Sequence, residues 1–259
     1  MTQYKKEIIN TLFKAQQNHE PVEFISKTYE VEEPVAYHIQ DELISEFKKA
    51  NNSEIAGYKV SMTSDETQAY ADTDEPAYGT ILSDKVVESG DTVSFSQLFA
   101  PLIEPELVFI LTEDLTVDAS DEEILKSIKV APGIEIPDAR YIDWFPNFTL
   151  GDLISDNTAS GLVAVGEAAD PVSYKDFENI TLKLSHNDEE IATGVSSDVL
   201  DNPIESLKWL IRKLDTQGKQ LHKGEIVSSG TFVPPVPAKE GTYKAEYSYP
   251  GSIQVTFKP

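Results

Sequence analysis

From about residue 54 onward the chain is a succession of short runs rich in β-branched and aromatic residues, punctuated by Gly, Pro, Asp and Ser: "GYKVSM", "GTILSD", "DTVSF", "ELVFIL", "GIEI", "GLVAVG", "ITLKLS", "EIVSSG", "YKAEYSY" and "SIQVTF". Runs of this length and composition read as strands, and the punctuation marks turns between them. Two helical patterns interrupt the series. Ser120 and Glu123 fit a capping box ahead of Ile124, Leu125 and Ile128, and Pro203 opens a stripe of Ile204, Leu207, Leu210, Ile211 and Leu214 that Gly218 can end. So many strands without regular helix alternation argue against a doubly wound parallel sheet, and no G-x-G-x-x-G or Walker-type loop occurs. The expected fold class is α+β, built on a mixed β-sandwich or roll.

The first fifty residues follow a different period. Ile8/Leu12 and Ile9/Phe13 are i,i+4 pairs, and after Pro34 in a first-turn position Val35, Ile39, Leu43 and Phe47 form a second apolar stripe. Two amphipathic helices are expected, packing on the core or on a partner subunit. The chain therefore divides into an N-terminal helical region, 1–53, and a β-rich body, 54–259, together one structural unit.

At 259 residues and 40% hydrophobic content a sizeable core is available. The chain has no cysteine, which closes disulfides, thiolate metal sites and cysteine nucleophiles. Its 45 acidic and 21 basic residues give a net charge of −24, which argues against nucleic-acid and anionic-membrane partners. The opening "MTQYKKEIINTLFKAQQ" lacks the continuous apolar segment and cleavage site of a signal peptide, and no stretch approaches the roughly 18 apolar residues of a membrane span. A cytoplasmic location is expected.

Within "PLIEPELVF", residues 101–109, Glu104 and Glu106 interrupt an apolar run. In a strand they project from one face, about 6.6 Å apart along the chain. Pro105 between them requires an edge, a strand start or a bulge. Two ionised carboxylates in apolar company would repel each other and lose hydration, so either they lie on a solvated face, or a pKa rises, or a cation joins them. "VAPGIEIPDAR" sets a third carboxylate, Glu135, between Ile134 and Ile136. Three such carboxylates could hold a hard ion such as Mg²⁺, Ca²⁺ or Mn²⁺ and leave positions for water and a chelating substrate.

The segments "AYHIQ" (36–40), "GYKVSMTS" (57–64), "EPAYGTI" (75–81), "PLIEPELVF" (101–109), "GIEIPDARYIDW" (133–144), "DLISDNTASGLVAVG" (152–166) and "KGEIVSSG" (223–230) follow one another along nearly the whole chain. In this order they resemble the 2-keto-4-pentenoate hydratase family of the fumarylacetoacetate hydrolase superfamily. The resemblance implies a β-roll of that superfamily's type with helical additions, 54–259 being the catalytic part, and a homo-oligomer. It implies a Mg²⁺ or Mn²⁺ site on Glu104, Glu106 and Glu135, with Lys59 facing a small 2-oxo acid and acting in catalysis, and Ser160 near the same substrate. The activity implied is hydration of 2-hydroxypenta-2,4-dienoate to 4-hydroxy-2-oxopentanoate; decarboxylation of 2-oxo-3-hexenedioate and a non-catalytic oxo-acid-binding role are the alternatives.

One departure keeps these alternatives open. Family hydratases read P-D-F-G where this chain reads Pro76-Ala77-Tyr78-Gly79, so an expected proton-transferring aspartate is Ala77. Asp74 and Glu75 lie nearby, but their period-2 orientation relative to residue 77 does not assign either of them its role. "SGTFVPPVPAKEG" also departs from the Gly-rich hydratase pattern, and its prolines stiffen the loop. His19, His38, His186 and His222 share no ligand spacing, while Tyr141, Trp144 and Phe145 either wall a pocket or pack the core.

Overall fold

The computed structural model describes residues 2–259. Helices α1 (Gln3–Asn18) and α2 (Glu33–Asn51) realise the two N-terminal stripes. They bury Ile8, Ile9 and Leu12 of the first and Ile39, Leu43 and Phe47 of the second, with Phe13 stacked on Phe47 at 5.6 Å. Both helices end on a residue in the left-handed region, His19 and Asn52, whose N–H caps the last carbonyls.

The body contains β1 (Ile55–Ser61), β2 (Ala77–Leu82), β3 (Val86–Glu88), β4 (Thr92–Ser94), β5 (Leu102–Leu111), β6 (Ile128–Ile136) and β7 (Leu162–Val165). It continues with β8 (Thr181–His186), β9 (Glu189–Val195), β10 (Ile226–Thr231), β11 (Val236–Pro237), β12 (Gly241–Tyr247) and β13 (Ser252–Lys258). One mixed sheet runs β2-β1-β10-β5-β6-β7-β3, with β11 continuing beside β5, and a second runs β4-β13-β12-β8-β9. Strands β12 and β13 pack across β6 and β7. At that junction the Tyr247 hydroxyl lies 2.9 Å from the carbonyl of Glu106 and 2.8 Å from that of Gly133, tying the second sheet to the middle of the first.

Four further helices fill the connections: α3 (Asp65–Ala69), α4 (Asp121–Lys126), α5 (Leu150–Ser155) and α6 (Pro203–Asp215). The Ser120–Glu123 capping box opens α4 and the Pro203 stripe is α6, as the sequence predicts. All ten predicted strands form. Pro105 is accommodated by a bulge, although β5 is a central strand. The β10 register slips between Ser228 and Thr231 opposite it, and the Pro105 carbonyl accepts from Phe232 N at 3.2 Å. N–H and C=O of one strand residue point to the same side, so the missing N–H faces this irregular edge and not the ladder with β6.

Candidate metal centre

The carboxylates are brought together by strand register. Glu104 and Glu106 project from one face of β5, and Glu135 of β6 is paired directly with Glu104. One oxygen from each of the three lies within 4.8 Å of the other two. Glu106 and Glu135 are buried, while Glu104 is half-buried at the pocket side.

Lys59 enters from β1, two strands from β5, and is 1% exposed. Its Nζ lies 3.1 Å from Glu135 Oε1 and donates to the Thr158 carbonyl at 3.0 Å. Gly79, paired with Lys59 on β2, makes this approach possible: a Cβ there would sit 2.4 Å from the Asn157 carbonyl oxygen and 3.3 Å from Lys59 Cδ. That close approach explains the glycine of "PAYG".

Glu106 is oriented by the β10 bulge. Its Oε2 accepts from Ser228 Oγ at 2.6 Å and from Gly230 N at 2.8 Å. Gly230 sits at φ +115, and a Cβ there would meet Thr63 Oγ1 at 2.4 Å, so the bulge requires glycine. Glu106 Oε1 and Glu135 Oε2 are buried with no donor, and Glu135 Oε1 has the Lys59 ammonium beside it outside hydrogen-bond alignment.

The electrostatics follow from this crowding. Burial, then the Glu135 charge, pushes Glu104 up to about 8 against the opposing pull of Lys59. Burial likewise raises Glu106, helped by Glu135 and Glu104 and opposed by Ser228 and Gly230. Glu135 is raised by burial and restrained by Lys59. Burial acts to lower Lys59, but Glu135, Glu104 and Glu106 outweigh it and hold the ammonium above its ordinary range. Three carboxylates against one ammonium leave an excess of negative charge, and the donorless oxygens face it. The donor set is all oxygen and short of positive charge, so the residues fit a hard divalent cation.

The segment after Glu135 braces this floor. Asp138 accepts from Phe99 N and Ala100 N, its carboxyl pushed up to about 6 by burial, and Arg140 is paired with the buried Asp156. Asn157, Thr158 and Ala159 are all left-handed, with φ between 51 and 56. This turn aims the Thr158 carbonyl at Lys59 and places Thr158 and Ala159 in the pocket wall.

Ser160 lies apart from the other expected residues. It lines a separate cavity with Arg140, Asn157 and Thr80, because the left-handed turn presents Thr158 and Ala159 to the carboxylate pocket in its place. Trp144 and Phe145 wall the pocket, whereas Tyr141 packs on Phe24 and donates to the Asp152 carbonyl at 3.1 Å. No histidine belongs to the carboxylate cluster; His19 stacks on Phe99 and His186 on Tyr243. Thr158, Ser228, Gly230, Tyr70 and Phe148 carry no spacing signal that marks them from sequence. Ala77 is buried, pairs with Ser61 and does not line the pocket.

No family model matches the chain. Over 265 residues it is 31% identical to the 2-oxo-hept-4-ene-1,7-dioate hydratase of Escherichia coli, covering 96% of each chain. It is 29% identical over 262 residues to the 2-keto-4-pentenoate hydratase of Paraburkholderia xenovorans (strain LB400), covering 99% of this chain and 96% of the relative. The 4-oxalocrotonate decarboxylase from Pseudomonas putida G7, complexed with magnesium and adipate, superposes with a TM-score of 0.89 at 24% identity over 100% of this chain and 99% of that one. The fumarylpyruvate hydrolase from Pseudomonas aeruginosa, in complex with Mn²⁺ and pyruvate, superposes at 0.58 and 15% identity over 77% of this chain and 88% of that one. The α+β architecture is of the fumarylacetoacetate hydrolase type, and the chain belongs to the 2-keto-4-pentenoate hydratase family.

Proposed function

We propose that this protein is a divalent-cation-dependent hydro-lyase that adds water to 2-hydroxypenta-2,4-dienoate and yields 4-hydroxy-2-oxopentanoate. The observation that carries this reading is the convergence of Glu104, Glu106 and Glu135 beside Lys59, with carboxylate oxygens left without donors and with Lys59, Glu104 and Glu106 lining one pocket. Two relatives matched over nearly the whole chain are hydratases, one of 2-keto-4-pentenoate and one of 2-oxo-hept-4-ene-1,7-dioate. Glu104, Glu106 and Glu135 would hold the cation, Mg²⁺ or Mn²⁺ by their all-oxygen chemistry. Bound there, it would act as a Lewis acid toward the substrate carboxylate and 2-oxygen, taking up the negative charge that develops on that oxygen.

The chain's own residues supply the remainder. Hydration requires the 2-hydroxyl proton to leave and carbon 5 to gain one, after which water adds at carbon 4 and carbon 3 is protonated. Lys59 is the proton-carrying group at the floor, its Nζ fixed between Glu135 and the Thr158 carbonyl. The wall of Tyr70, Trp144, Phe145 and Phe148 keeps bulk water off the carbon chain.

Ala77 supports a second reading, decarboxylation of 2-oxo-3-hexenedioate, in which the electrons released with CO₂ pass to the same 2-oxygen and no aspartate is needed to activate water. Incubating purified protein with each substrate, with Mg²⁺, with Mn²⁺ and with EDTA, separates the readings. Cation-dependent loss of the dienoate with formation of 4-hydroxy-2-oxopentanoate is expected. Turnover that survives EDTA, or none with either substrate, would overturn the assignment.

A further inference from the structure

Among the described residues, four titratable side chains line the pocket: Lys59, Glu104, Glu106 and Tyr70. Glu104 and Glu106 would hold the cation. Lys59 is an ammonium fixed by Glu135 and the Thr158 carbonyl, so it has a proton to give and no lone pair to take one. Ala77 brings no group that transfers a proton. Of the four, Tyr70 is left to receive a proton from an attacking water, provided its own can move on.

Tyr70 stands where two cavities meet. It lines the aromatic pocket, edge-on to Phe145 at 5.4 Å, and it also lines an outer cavity with Asp65, Glu66, Asp198 and Asp201. Glu66 and Tyr70 are four residues apart across α3 and its C-cap, which puts them on one face. Burial, then the Glu66 charge and its hydrogen bond to the phenol, raise Tyr70 above the ordinary phenol range. The hydroxyl therefore keeps its proton at neutral pH and donates to Glu66, which leaves its oxygen lone pairs free to accept. Glu66 is exposed, so a proton that reaches it is released to solvent.

We infer that Tyr70 is a catalytic residue of the hydration step, relaying the proton of the attacking water to Glu66. The inference rests on the hydratase reading and assigns the water-activating group within it. The water oxygen bonds carbon 4 as its proton passes to the Tyr70 oxygen and the Tyr70 proton passes to the Glu66 carboxylate. The electron pair of the 3,4 double bond shifts toward the 2-oxygen. Carbon 3 then takes one proton and Glu66 releases one, so the step consumes water alone. The preceding tautomerisation forms no bond to water and does not use the relay.

The test follows 2-hydroxypenta-2,4-dienoate by proton NMR with the full-length, Mg²⁺-saturated protein and reads 4-hydroxy-2-oxopentanoate against the tautomer 2-oxopent-3-enoate. Tyr70→Phe keeps the ring against Phe145 and removes the hydroxyl. Glu66→Gln, an exposed change, keeps an acceptor for that hydroxyl but cannot take up its proton. In each variant kcat for hydration should fall at least ~100-fold with KM within about threefold, and 2-oxopent-3-enoate should accumulate above its uncatalysed level. Because the two residues act as a unit, the double variant should lie within about threefold of either single one. Hydration at the parental rate in either variant, losses that add in the double variant, or a loss confined to KM would overturn the relay and leave the hydratase assignment standing. A parent that forms no 4-hydroxy-2-oxopentanoate would overturn both.

Discussion

Glu104 and Glu135 are a directly opposed pair on adjacent antiparallel strands, at the separation where like charges destabilise a sheet most. A cross-strand pair of this kind is retained only if something other than the sheet holds it. Lys59 offsets part of the repulsion from its place on β1, and the donorless oxygens of Glu106 and Glu135 mark what it leaves uncompensated. The cost to the sheet and the fitness for a cation are the same arrangement.

Glu106→Gln tests the ligand assignment most cleanly. The amide oxygen can keep the bonds from Ser228 and Gly230, so the β10 bulge should persist. Removing one of three anionic donors should weaken Mg²⁺ binding at least ~100-fold, about 2.7 kcal/mol. The cation-free variant should melt at or above the parent's Tm because a buried charge has gone. Calorimetric titration showing unchanged affinity would rule Glu106 out as a ligand.

The raised carboxylates predict proton release on cation binding. With Glu104 pushed up to about 8, the cation-free protein at pH 7 keeps a proton that the cation must displace. Apparent affinity should therefore tighten as pH rises through about 8. The stability effect has the opposite sign. A carboxyl whose folded pKa exceeds its unfolded value of about 4.3 contributes stability that is full below that value and is lost as pH rises through the folded pKa. In EDTA, the Tm of the parent should fall between pH 5 and 8 more steeply than that of Glu104→Gln, and saturating Mg²⁺ should cancel the difference.

Much of this site was legible in sequence because strand periodicity is a strong constraint. A period of two puts Glu104 and Glu106 on one face whatever the rest of the chain does, and Glu135 stood out as a carboxylate between two isoleucines. The pairing of Glu104 with Glu135 is a register, set by the packing of β5 on β6, and no local pattern encodes it. The cavity that Ser160 lines is likewise set by conformation: three consecutive left-handed residues, Asn157 to Ala159, reorient the chain, and no local pattern signals them. Helix α5 is six residues, too short to show a period. Strand β9 is largely exposed and polar, and its hairpin signal was the pair Asn187-Asp188, both at positive φ.

Lys59→Met separates charge balance from catalysis. Methionine fills similar volume but leaves Glu135 without its counter-ion, so the cation-free protein should lose roughly 3 kcal/mol of stability. Saturating Mg²⁺ should restore most of that loss. Turnover should stay at least ~100-fold down with the cation bound, since the group that carries the proton is missing. Full activity in cation-saturated Lys59→Met would assign Lys59 a purely structural role.

The left-handed turn depends on Asn157. Its side chain accepts from Thr80 N at 2.7 Å and donates to the Thr80 carbonyl at 2.8 Å, fastening the turn to β2, while Gln40 of α2 donates to the carbonyls of Tyr78 and Ile154 alongside. Asn157→Ala removes both bonds, leaves two buried backbone groups unpaired and puts a Cβ-bearing residue without a side-chain hydrogen bond at φ 56. A destabilisation of about 2–4 kcal/mol is expected from those lost bonds and the strained backbone. Asn157→Gly relieves only the backbone component and should recover about 1 kcal/mol of it. Both variants should turn over more slowly than the parent at saturating Mg²⁺, because the Thr158 carbonyl no longer holds Lys59 Nζ in place. Equal melting temperatures and rates for parent, alanine and glycine forms would show that the turn needs no such fastening.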